Sequence, residues 1–118
     1  MLRDDIKVLT LEEIAQATDR EETVLDVPEW GGPVVLKALS LKQRDLIFSL
    51  ANEGTGKEIK LNGQKLVHLL VLYGVVQPQF TEDVLQDKAF AVVDRIAQKV
   101  MAMSGLAPEA ALVASKTF

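Results

Sequence analysis

The stretch that decides the fold is Val27-Pro28-Glu29-Trp30-Gly31-Gly32-Pro33. It lies between two runs of strand character, Glu22–Val27 and Val34–Leu39. It holds the only tryptophan, two of the seven glycines and two of the four prolines. Pro28 and Gly31-Gly32 interrupt any continuous element, so the segment reads as the connection of a hairpin. Side chains alternate along a strand, so Thr23, Leu25 and Val27 share one face and Glu22, Val24 and Asp26 the other. On the second strand Val34, Leu36 and Ala38 alternate with Val35, Lys37 and Leu39. Lys37 is expected across from an acidic residue of the first strand. A lone two-stranded hairpin is marginal in water, so its apolar face must pack on helices. A large aromatic at the hairpin tip either folds back on the core or meets another molecule.

Helices flank this hairpin. Upstream, Thr10 and Glu13 form a capping box, and Leu9 and Ile14 have the spacing of a hydrophobic staple, which predicts a short helix over Leu11–Thr18. Downstream, Ser40 and Gln43 form a second capping box that opens a helix running to about Glu53, with Gly54 at C′. Its apolar positions are Leu41, Leu46, Ile47, Phe48, Leu50 and Ala51, a wider face than one packing seam requires. Burial between the hairpin and the next helix is the expected use of that surplus. Cover for a second protein surface in an oligomer is the alternative.

After the loop Gly54-Thr55-Gly56-Lys57, a third helix is expected from near Lys60 to Tyr73 or Gly74. It is apolar almost all round, which marks a central core element. The β-branched Val67, Val71, Val75 and Val76 make a buried strand the competing reading. Thr81, followed by Glu82 and Asp83, caps a short helical turn. A last long helix runs from about Asp87 to Ser104, with Ala89, Val93, Ile96, Ala97, Val100 and Met101 at helical spacing, and Gly105 ends it. Pro108 either opens one more helix or belongs to a tail. The expected fold class is therefore α+β: a small β-hairpin packed on a bundle of four to five helices, mostly α. Residues 1–106 form one domain, and 107–118 a C-terminal tail or short helix.

Composition narrows the function. At 118 residues the chain is of single-domain size. With 48% hydrophobic but only 5% aromatic residues, Leu, Val, Ile and Ala must supply most of the core. Cysteine is absent, which excludes disulfides and thiolate metal sites. No apolar segment follows Met1-Leu2-Arg3-Asp4-Asp5, so no secretory signal is expected. The longest apolar run, Leu66 to Val76, is too short to cross a bilayer. The net charge is −4 and the thirteen basic residues are scattered. That pattern argues against nucleic-acid binding and against an anionic membrane surface.

No catalytic constellation emerges. Gly54-Thr55-Gly56-Lys57-Glu58 has the look of a phosphate loop, but Ala51 stands where a Walker A glycine belongs and Glu58 where its Ser or Thr belongs. His68, the only histidine, sits in an apolar run and reads as a core or boundary residue. Glu12-Glu13, Glu21-Glu22 and Glu82-Asp83 are sequence neighbours, which do not share a helix face. No enzyme, cofactor or metal is expected. What remains is protein binding, with Trp30, Leu41 and Phe48 as the candidate contacts and self-association into a homo-oligomer expected. For Trp30 the two readings are a plug against the helices and an interface anchor.

A strand ending in Val27-Pro28-Glu29-Trp30-Gly31-Gly32, a second strand, and a helix opening at Ser40-Leu41-Lys42-Gln43-Arg44-Asp45 resemble the tail assembly chaperones of long-tailed bacteriophages. The order of the other pieces is similar too: a short N-terminal helix, an apolar central helix, a turn ending in Pro78-Gln79-Phe80-Thr81-Glu82-Asp83, and an amphipathic helix to Gly105. The resemblance covers roughly residues 8 to 106. It implies a non-catalytic chaperone that binds the tape measure protein in the host cytoplasm, keeps it soluble and helps gather tail tube protein around it. Members occur as a short product and a longer frameshift product. This chain would be the short one, a partner of the longer, and not expected in the mature virion. The family offers no motif from which binding residues carry over. The alternative reading is a small phage or host regulatory DNA-binding domain, which the scattered charge disfavours.

Overall fold

The computed structural model describes residues 6–106, so the tail or short helix expected at 107–118 lies outside the described residues. In chain order the elements are α1 (Leu11–Gln16), β1 (Glu22–Val27), a 3-10 turn (Pro28–Trp30), β2 (Gly32–Lys37), α2 (Leu41–Ala51), α3 (Gly63–Gly74), β3 (Val75–Gln77), α4 (Glu82–Gln86) and α5 (Phe90–Met103). The fold is mixed α+β, a hairpin packed on helices. The hairpin gains a third strand, giving an antiparallel sheet of order β1-β2-β3.

The hairpin register pairs Glu22 with Lys37, Val24 with Val35 and Val27 with Gly32. The expected alternation holds: Val27, Val34, Leu36 and Ala38 are buried, whereas Glu22, Val24 and Asp26 are exposed. Lys37 Nζ lies 3.7 Å from Glu22 Oε2, so the cross-strand ion pair forms where the sequence placed it. β2 begins two residues earlier than expected and takes in Pro33. Ala38 N donates to Glu21 O, which fixes the ladder phase and directs the Glu22, Val24 and Asp26 backbone groups to the free edge of β1. By the same phase Pro33 turns its nitrogen away from β1. β3 pairs only with Val35 and Leu36, so the missing N–H of Pro33 removes no ladder bond.

One core joins the sheet to α2, α3, α4 and α5. Leu36, Ile47, Leu70 and Ile96 are its largest fully buried side chains. Burying each contributes on the order of 1.5–3 kcal/mol relative to exposure. No polar side chain is buried among the described residues, so this interior carries no desolvation cost of that kind. α3 and α5 cross where Gly74 faces Val100. A Cβ at Gly74 would lie 2.5 and 2.6 Å from the two Val100 methyl groups, so only glycine allows this approach. On α5, Val92, Val93, Ile96, Ala97, Val100 and Met101 are buried. Gly105 takes φ +75 and ends the chain direction of α5.

Local capping follows the sequence closely. Both capping boxes are complete, at Thr10/Glu13 and Ser40/Gln43. The Thr10 backbone N–H, and then its hydroxyl, hold the Glu13 carboxyl below its usual range. Thr81 caps α4 by accepting from Val84 N. Asn62 caps α3 by accepting from Gln64 N at 3.0 Å and Lys65 N at 3.1 Å, so that helix starts at Gly63 and not near Lys60. The β-branched end of the apolar run, Val75 and Val76, does turn to strand, which divides the two readings between one helix and β3.

Other expectations fail: α5 starts at Phe90 and not near Asp87, because Ala89 is its extended N-cap. α2 stops at Ala51, and Gly54 is not its C′ residue. Asn52 instead forms an antiparallel bridge with Leu61, flanked by Glu53 N to Lys60 O at 2.7 Å and Asn62 N to Ala51 O at 2.7 Å. The Asn52 side-chain oxygen accepts from Gly54 N at 2.9 Å and Lys60 N at 2.8 Å. Residues 53–60 are thus an arm with a closed neck, and Gly54 is glycine because a Cβ there would collide with the Glu58 carbonyl. The apolar surplus of α2 is also not buried. Only Ile47 and Ala51 reach the core, while Leu41 is 73% exposed and Leu46 and Leu50 are 40% and 48% exposed.

Candidate functional site

The 3-10 turn at Pro28–Trp30 is held from two sides. Pro28 presets its first position, and Gly31 at φ +86 closes it with a left-handed residue that favours glycine. Glu29 then reaches across to α5. Arg95 Nη1 and Nη2 donate to its two carboxylate oxygens at 2.7 and 2.9 Å, a bidentate pair. The hydrogen bonds from Arg95 hold the Glu29 carboxyl down at about 2. The Arg95 guanidinium is correspondingly pushed up by Glu29, with Asp26 adding to its field. Trp30 turns the other way. It is half-buried, packs against the edge of the core, and meets Phe80 edge to face with ring centroids 5.4 Å apart at 82°. Both readings of Trp30 therefore keep a share of the side chain: one part packs and one part faces out.

The other two candidate contacts lie elsewhere. Leu41 opens α2, beyond the far end of β2 from Trp30, and stands exposed beside Arg20 and Ser104. Phe48 is half-buried against the core, with the Arg44 guanidinium 5.2 Å from its ring centroid. Leu41 and Phe48 thus share α2, seven residues apart, while Trp30 sits on the hairpin turn at the other end of β2 from Leu41.

A larger apolar surface was not legible beforehand. α1 buries none of its residues. Ile6, Val8, Leu9, Leu11 and Ile14 are all exposed, so the expected Leu9–Ile14 staple does not shield either side chain. A six-residue helix is far below the length that is stable alone in water. The root of this segment is nevertheless fixed. Arg20 Nε donates to Ala38 O and its Nη2 to Gln43 Oε1, both at 2.8 Å, anchoring the strand entrance beside the start of α2. Leu39 N donates to Ser104 Oγ at 2.9 Å and ties the same corner to α5. The signal for an unburied α1 was present in Leu11, an apolar residue outside the staple spacing.

Comparison with known protein families, with curated proteins and with solved structures finds no match. Among the described residues no group of three or more His, Asp or Glu side chains gathers as a metal site, and His68 is half-buried on α3. No helix among them is long and apolar enough to cross a membrane. The arm bearing Gly54-Thr55-Gly56-Lys57 follows a helix, where a phosphate loop follows a strand.

Proposed function

We propose that this chain is a non-catalytic tail assembly chaperone of a long-tailed bacteriophage, the short product of its gene, which caps apolar surface on the tape measure protein. One observation carries the reading. A domain with no buried polar side chain among its described residues still leaves Ile6, Val8, Leu9, Leu11 and Ile14 exposed along its N-terminal segment, with Leu41, Leu46 and Leu50 exposed on α2. So many large apolar side chains left open favour an interaction surface. A tape measure protein is long and largely helical, and its apolar stripes would aggregate unless covered. Many copies of a small domain, each bound weakly, gain avidity along one chain. The net charge of −4 keeps the decorated assembly apart from its neighbours. Tail tube protein and the longer frameshift product are the further partners in this reading, and the site of action is the host cytoplasm before the tail is complete.

The experiment is co-expression with the tape measure protein encoded beside this gene. Soluble tape measure protein that co-purifies with the chain is the expected result. Insoluble tape measure protein with no co-purification overturns the proposal.

A further inference from the structure

At the hairpin tip, Trp30, Phe80, Pro33 and Pro78 line an open groove of about 530 Å³. Glu29, Gly31, Gly32 and Lys88 line it as well. From this geometry we infer that the groove binds a short, extended, proline-containing peptide segment that carries a carboxylate. The inference is independent of the chaperone reading and concerns the end of the hairpin away from α1 and Leu41.

Four observations select this occupant. First, Gly32 has an ordinary φ and a Cβ on it would meet nothing within 4 Å. The fold of this chain does not demand glycine there, and a glycine inside a strand often marks close approach by a ligand. Second, strand addition is blocked. Pro33 has no N–H to offer, and β3 is followed at once by Pro78, so neither proline continues a ladder. A guest recognised here is held by ring surfaces, and a proline guest forfeits no backbone donor. Third, the lining brings aromatic rings together with proline rings, the kind of surface on which a pre-organised polyproline II segment docks with little loss of entropy. Fourth, the charge is unbalanced. Glu29 is engaged by Arg95, while Lys88 has no carboxylate at ion-pair distance among the described residues. A carboxylate on the guest completes that pair.

Trp30 is the only tryptophan and reports directly on the groove. The full chain is titrated with the acetylated peptide Pro-Ala-Pro-Pro-Glu-Pro while tryptophan emission is followed. The expected result is a saturable shift. Lys88→Glu should weaken it by roughly threefold to tenfold, as for an exposed ion pair turned repulsive. The same peptide with Lys in place of Glu should then bind Lys88→Glu better than it binds the wild type. Gly32→Val should abolish the shift while circular dichroism and the urea midpoint stay near wild type. No saturable shift overturns the inference. So does equal binding by Lys88→Glu, or equal binding of an all-alanine peptide carrying the same glutamate.

Discussion

Arg95 on α5 holds both carboxylate oxygens of Glu29 in the hairpin turn, at 2.7 and 2.9 Å, across 66 residues of sequence. The pair stands in solvent, so it adds little to global stability. Its consequence is positional: it sets the orientation of the turn that carries Trp30.

That pair fixes an acid response. The Glu29 carboxyl is lowered from 4.5 to about 2, so the favourable contribution is complete above about pH 4.5 and is lost as pH falls through about 2. Trp30 emission should therefore change in that acid window in the wild type. Glu29→Gln should lack this step while keeping its thermal midpoint near wild type. An identical acid step in both proteins would contradict the assignment.

Gly74→Ala should destabilise the fold by about 1–3 kcal/mol, because the added methyl group overpacks the α3–α5 crossing. The three nearest atoms to the added methyl group all belong to the Val100 side chain. Val100→Ala in the same chain should recover part of the loss, a non-additivity readable as a coupling in urea midpoints. Strict additivity would show that the helices separate to accept the methyl group.

Trp30→Ala and Phe80→Ala should each lower stability, and a double-mutant cycle should give a coupling of about 0.5–1.5 kcal/mol for the edge-to-face pair. A coupling indistinguishable from zero would mean that the rings merely lie near each other.

Leu11→Ser and Leu41→Ser remove exposed leucines, 82% and 73% open. Stability should stay within about 0.5 kcal/mol of wild type. Self-association measured by light scattering, and recovery of soluble tape measure protein on co-expression, should both fall. Ile96→Ala is the contrast. Its side chain is fully buried, and its loss should cost about 2–5 kcal/mol. If the surface variants unfold as readily as Ile96→Ala, those leucines are structural.

Much of this architecture was legible because it is local. Thr10 with Glu13 and Ser40 with Gln43 announce helix starts through chemistry spanning four residues. The period-two pattern of Val34, Leu36 and Ala38 announces a buried sheet face and suggests an acidic partner across from Lys37, which the register makes Glu22. The rest depends on partners far away in sequence. Nothing near Val75 says that it will pair with Leu36, and the β-branched run fits helix and strand alike. Glu29 gives no sign of Arg95, nor Trp30 of Phe80. The surplus on α2 misled for a related reason. Periodicity shows which side chains share a face, but not whether the molecule has another element to lay over it. Of the three candidate contacts, the apolar and aromatic character was readable, while the distance of the Trp30 turn from the start of α2 was not.

The closed neck at Asn52 and Leu61 has a practical corollary. Because the amide of Asn52 and the flanking backbone bonds bring the two ends of residues 53–60 together, the segment behaves as a cassette. The tip at residues 55–59, outside the neck bonds of Glu53, Gly54 and Lys60, is therefore the place to insert an affinity tag or a fluorophore-bearing loop without altering how the helices on either side are joined.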